Sequence, residues 1–127
     1  MVSPRGPRPT SPATTAPRRG EIYEVDWHPS RGHEQAGVRL ALVVQNDVGN
    51  RAAPTTIVAA VTSRAPKKPY PFEVEIPGGV LPKPSWVDCA HLVTIDQGRL
   101  RRRLGALPDG ALAALDEALR HSLGLHD

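Results

Sequence analysis

The sequence predicts a mainly β fold with a C-terminal helix, a small twisted barrel or sheet with the helix packed on it. Three observations lead there. Five short segments between residues 21 and 95 carry the alternation or the β-branched runs of strands. Pro- and Gly-containing breaks separate them. After Pro108 the apolar spacing changes to that of a helix.

Met1 to Pro17 is rich in Pro, Ser, Thr and Arg, with Met1 and Val2 its only large apolar residues. It has too little to bury to offset its chain entropy, so residues 1–17 are expected to be a disordered Pro/Arg-rich extension and 18–127 the folded domain. The first strand is Glu21-Ile22-Tyr23-Glu24-Val25-Asp26-Trp27, which alternates polar and apolar. Pro29 to Gly37 reads as a long loop. Leu40 to Val44 is a continuous apolar run, a buried strand, and Asn46 to Pro54 a turn. Thr55 to Thr62 is β-branched and gives the third strand. Ala65-Pro66-Lys67-Lys68-Pro69 breaks it. Phe72 to Ile76 alternates again, Pro77-Gly78-Gly79 turns the chain, and Trp86 to Ile95 is the fifth strand. Leu112, Leu115, Leu119 and Leu123 then stack on one helical face, with Asp109 as the expected N-cap and Gly124 as the residue that ends the helix.

A chain of 127 residues fits one domain and leaves little room for a cofactor domain. Its aromatic residues are Tyr23, Trp27, Tyr70, Phe72 and Trp86, so the core must rest on Val, Ile, Leu and Ala. One cysteine, Cys89, excludes an intramolecular disulfide and a multi-Cys zinc site. No apolar run approaches the ~20 residues of a membrane span, and the N-terminus lacks the apolar core of a secretory signal. A cytoplasmic protein with no membrane partner is expected.

The net charge of +3 is not evenly spread. Arg5, Arg8, Arg18 and Arg19 make residues 1–19 +4, which leaves 12 basic against 13 acidic residues in the remainder. An electrostatic case for nucleic acid therefore rests on where the charges sit. Arg31, Arg51, Arg64, Lys67 and Lys68 fall in predicted loops, which on a small barrel can converge on one rim. Arg99, Arg101, Arg102 and Arg103 form a second cluster, suited to an acidic partner or to solvation alone. Trp86 and Tyr70 are candidates for stacking on bases or for packing.

Three segments carry an identification. They are Gly20 to Pro29 with Gly32-His-Glu-Gln-Ala-Gly-Val-Arg39; Leu42-Val-Val-Gln-Asn46 leading into Thr55-Thr-Ile-Val-Ala-Ala-Val-Thr62; and Tyr70-Pro-Phe-Glu-Val-Glu75 with Ser85-Trp-Val, Thr94-Ile-Asp96 and the closing helix. From about Gly20 to Leu125 the chain closely resembles the MazF/PemK toxins of type II toxin–antitoxin systems. Leu40 departs from the Pro usual after the arginine, and His33 from a common Ser.

The resemblance implies an SH3-like barrel of the CcdB/MazF type, a homodimer, a MazE-like antitoxin, and sequence-specific cleavage of single-stranded mRNA without cofactor or metal. It makes Arg39 the main catalytic residue and Thr62 the catalytic hydroxyl. RNA can be cut without metal when a 2′-hydroxyl attacks its own phosphate; this needs a base, stabilisation of phosphorane charge and a proton for the leaving 5′-oxygen. The products are a 2′,3′-cyclic phosphate and a 5′-hydroxyl. Arginine grips phosphate with two donors but hardly deprotonates, so Arg39 suits charge stabilisation. Glu34 is the candidate general base; His28 and His33 form a rival acid–base pair. The expected RNA-binding residues are His28, Arg31, His33, Gln35, Ser63, Arg64 and Lys67. The main alternative is a non-catalytic, CcdB-like toxin that acts by protein binding; a plain interaction module is a third reading.

Overall fold

The computed structural model describes residues 15–26 and 38–125. Six strands, β1 (Glu21–Asp26), β2 (Val38–Val43), β3 (Thr55–Thr62), β4 (Glu73–Glu75), β5 (Trp86–Asp96) and β6 (Leu100–Ala106), join in one antiparallel sheet of order β4-β5-β3-β2-β1-β6. A short helix α1 (Asp47–Ala52) links β2 to β3, and α2 (Asp109–Leu123) closes the chain.

The period-two pattern becomes two-sided burial. Ile22, Leu42, Ala59 and Val87 face α2, where they meet Leu115 and Ala118 in the main core. Their neighbours Val25, Ala41, Val43 and Val58 form a second cluster, bordered by Tyr23, Val93, Ile95 and Leu100. Breaks in register between β1 and β6, and in β5 opposite Ala59 and Ala60, add the local twist that lets a six-stranded sheet curl.

Gly20 enters β1 at φ 93°, and a Cβ there would stand 2.8 Å from Leu112 of α2. Glycine is therefore required where the first strand crosses the last helix. Arg19 ties the same corner: its backbone N–H donates to Asp47, its Nε to the Val44 carbonyl, and its guanidinium pairs with Asp116 at 2.8 Å. Cys89 is buried, and desolvation, followed by the nearby Asp88, pushes its thiol up to about 12. It acts as a small apolar residue. Glu73 lies opposite Asp88 across β4 and β5. Desolvation first and Asp88 second raise its carboxyl above the ordinary range.

Four expectations need correction. The arginine run belongs to a sixth strand: Arg101, Arg102 and Arg103 pair with Asp26, Glu24 and Glu21 of β1 at 2.8, 3.1 and 2.8 Å. Residues 46–54 are not a simple turn but hold α1, capped by the Asn46 side chain accepting from the Gly49 N–H at 2.7 Å. Asp109 is the first residue of α2 rather than its cap, which is Pro108 without a side-chain bond. Leu123 is 54% exposed, so the packed face of α2 runs through Leu112, Leu115, Ala118 and Leu119 instead. Gly124 does end the helix in the left-handed region, at φ 70°.

Candidate active site

Antiparallel pairing sets side by side the strands that carry two of the sequence candidates, Arg39 on β2 and Thr62 on β3. β2 and β3 pair Val43 with Val58, Leu42 with Ala59 and Ala41 with Ala60. The paired positions run no further than Ala41 and Ala60; continued for two residues, that register would lead to Arg39 on β2 and Thr62 on β3. Arg39 also pairs with Val25 of β1, and Thr62 with Trp86 of β5. Val25 and Arg39 thus share one face of the sheet, as do Thr62 and Trp86. Neighbouring strands lie about 5 Å apart, well within the reach of an arginine.

Arg39 is exposed, and among the described residues its guanidinium has no hydrogen-bond or ion-pair partner. The β6 arginines differ, since a carboxylate of β1 holds each of Arg101, Arg102 and Arg103. Thr62 is half-buried, and its Oγ1 accepts the Arg64 backbone N–H at 3.0 Å. That bond occupies a lone pair and leaves the hydroxyl proton to donate outward.

Thr62 also borders an open cavity of about 870 Å³. Leu40, Val61, Val80, Leu81 and Leu104 make its apolar lining; Ser63, Lys83, Ser85 and the Arg102–Glu24 pair supply polar groups. Leu40, noted in the sequence as a departure from the family, is paired with Glu24 and lines this cavity. Ser63, Arg64 and Lys67 follow Thr62 and are exposed at the same end of the sheet. Arg51 is elsewhere. It lies in α1 at the opposite end of β3, about 24 Å away for eight strand residues, so the predicted basic loops do not all converge.

His28, Arg31, His33, Glu34 and Gln35 lie outside the described residues, as do Trp27 and residues 1–14. The positions flanking that segment, Asp26 and Val38, are paired, one residue from Arg39. Among the described residues, no group of three or more His, Cys, Asp or Glu could hold a metal ion, and no helix is long and apolar enough to cross a membrane. Sequence reasoning missed Lys83, Glu24 and Arg102 at the cavity. Lys83 has no strand pattern around it, and the Arg102–Glu24 contact depends on a strand that was not predicted.

Comparison with known proteins finds relatives over most of the chain. The profile of "PemK-like, MazF-like toxin of type II toxin-antitoxin system" matches residues 18–123. The endoribonuclease MazF of Staphylococcus saprophyticus is 40% identical over 111 residues, covering 86% of this chain and 92% of that protein. Among solved structures, a MazE–MazF crystal structure from Deinococcus radiodurans aligns with TM-score 0.73 at 32% identity, covering 88% of this chain and 99% of that one. A mycobacterial endoribonuclease in complex with its cognate antitoxin aligns with TM-score 0.73 at 25% identity, covering 88% and 99%.

Proposed function

The chain belongs to the PemK-like, MazF-like toxins of type II toxin–antitoxin systems, and we propose that it cuts single-stranded RNA by attack of a ribose 2′-hydroxyl on the adjacent phosphate, without a metal ion. The observation that supports this reading most is the register of β2 and β3, which, continued past Ala41 and Ala60, brings Arg39 and Thr62 to the same end of the sheet. A phosphate between them receives two charged donors from Arg39 and one hydroxyl proton from Thr62.

Both side chains act on the non-bridging oxygens, where negative charge grows as the 2′-oxygen adds to phosphorus. The 2′-O–P bond forms and the P–O5′ bond breaks. A base takes the 2′-hydroxyl proton, and an acid returns one to the leaving 5′-oxygen. Glu34, five residues before Arg39, is the proposed base; His28 and His33 are the rival pair. Arg31, Gln35, Ser63, Arg64 and Lys67 are proposed to hold the flanking RNA. DNA, which lacks the nucleophile, is not cut.

The biological setting follows the family. A solved MazF relative stands in complex with MazE, which supports a MazE-like antitoxin as partner here. We assign the chain a homodimeric state and a cytoplasmic location, with residues 18–127 as the nuclease domain. The endoribonuclease name of the 40% identical relative favours catalysis over the non-catalytic alternative.

The test is incubation with a long single-stranded RNA in excess EDTA, followed by analysis of the ends. Cleavage is expected to persist and to leave 2′,3′-cyclic phosphate and 5′-hydroxyl termini. Activity lost to the chelator and restored by Mg²⁺ or Mn²⁺, or 5′-phosphate ends, would overturn the mechanism.

A further inference from the structure

Trp86 occupies the position in β5 directly opposite Thr62, and it is half-buried. Its accessible part borders a second, smaller cavity of about 330 Å³, formed with Ala65, Pro66, Lys67, Lys68 and Pro69. We infer that this cavity is a nucleobase subsite, in which Trp86 stacks on the base of a nucleotide next to the cleaved phosphate. The inference rests on the nuclease reading above and adds a specificity-determining residue to it.

Three features support it. The first is placement: Thr62 and Trp86 are cross-strand partners, about 5 Å apart at Cα, so a base beside a phosphate held by Thr62 falls within reach of the indole. The second is the composition of the walls. Two prolines, Pro66 and Pro69, fix their own backbone angles and stiffen the loop, while the exposed Lys67 and Lys68 attract the backbone that carries the base. An aromatic face with adjoining cations is the usual arrangement for holding single-stranded nucleic acid. The third is the state of the other candidate. Tyr70 stacks on Phe72, with ring centroids 5.0 Å apart and planes 15° apart, so one face of its ring is already occupied within the protein.

Stacking of one base on an aromatic residue contributes about 1–3 kcal/mol, or about 5- to 150-fold in affinity. The probe is a short RNA that spans a mapped cleavage site and carries a 2′-deoxyribose at the scissile nucleotide, so that it binds without being cut. Trp86→Leu is expected to weaken its binding roughly tenfold, and Trp86→Phe to restore most of that loss. An abasic nucleotide at one position flanking the phosphate should weaken wild-type binding by a similar factor and leave the Trp86→Leu affinity unchanged. Should Trp86→Leu fail to fold, Trp27→Phe protein makes Trp86 the sole indole; its fluorescence should then be quenched by the intact probe and not by the abasic one. Binding by folded Trp86→Leu within twofold of wild type would overturn the inference. So would abasic costs that are equal in both proteins at every position, or fluorescence indifferent to the abasic change. If the wild-type protein leaves the all-ribose RNA uncut, the nuclease reading itself fails; cleavage without coupling to Trp86 removes only this subsite.

Discussion

Arg39→Ala is expected to lower the single-turnover rate of RNA cleavage by about 10²–10³, the typical cost of removing one preorganised donor from a developing oxyanion. Arg39 is exposed and contributes its side chain to neither core cluster. The melting temperature should therefore stay within a degree or two of wild type. Arg39→Lys keeps the charge but loses the planar, two-pronged grip, so it should recover only part of the rate. Stopped-flow or quench-flow cleavage of a single-site oligonucleotide, with a thermal melt of each variant, is the measurement. Wild-type cleavage by Arg39→Ala would place the chemistry elsewhere.

Asn50→Leu should destabilise the fold by about 3 kcal/mol, a melting-point drop on the order of 10 °C for a domain of this size. Asn50 is 1% exposed and stands at the centre of a polar network. Its Oδ1 accepts from the Thr56 hydroxyl at 2.6 Å and from Gln45 at 2.9 Å, and its Nδ2 donates to the Gln45 carbonyl at 3.0 Å. Gln97 closes the network by donating to the carbonyls of Asn50, Ala53 and Thr55 at 2.8–3.0 Å. Leucine removes both the acceptor and the donor, leaving the Thr56 hydroxyl and the Gln45 carbonyl without this partner in a dry site. Because Thr56 loses its partner in the single variant, Asn50→Leu/Thr56→Val should cost less than the two changes added separately. Urea denaturation of the four proteins gives the comparison. A loss below about 0.5 kcal/mol would show that the network contributes little. It lies at the far end of β3 from Thr62, so the folded fraction should cleave RNA normally.

The sequence was most legible where one face of an element is buried and the other is wet. β1 and β4 alternate, β3 is a β-branched run, and the leucines of α2 keep a helical step, so all four were readable within a few residues. β6 escaped for a physical reason. Leu100-Arg101-Arg102-Arg103-Leu104 has no alternation, because it is an edge strand whose arginines meet carboxylates of β1 across two breaks in register. α1 escaped because six residues with a glycine give no periodicity, although Asn46 followed by Asp47 was a readable start signal. Of the site, Arg39 and Thr62 were named through family resemblance. Their approach to the same end of the sheet depends on strand register, which sequence does not print. The same holds for Trp86, one of five aromatic residues in the chain, whose position opposite Thr62 appears only once β3 and β5 are paired.

The central claim, that the ribose attacks its own phosphate between Arg39 and Thr62, is tested most directly by changing one atom of the substrate. An RNA oligonucleotide spanning a mapped site is compared with the same molecule carrying a single 2′-deoxyribose on the 5′ side of the cleaved phosphate. The account predicts unchanged binding and no cleavage at that phosphate, because the nucleophile is gone. Cleavage of the deoxy-substituted phosphate at the rate of the all-ribose substrate would contradict it.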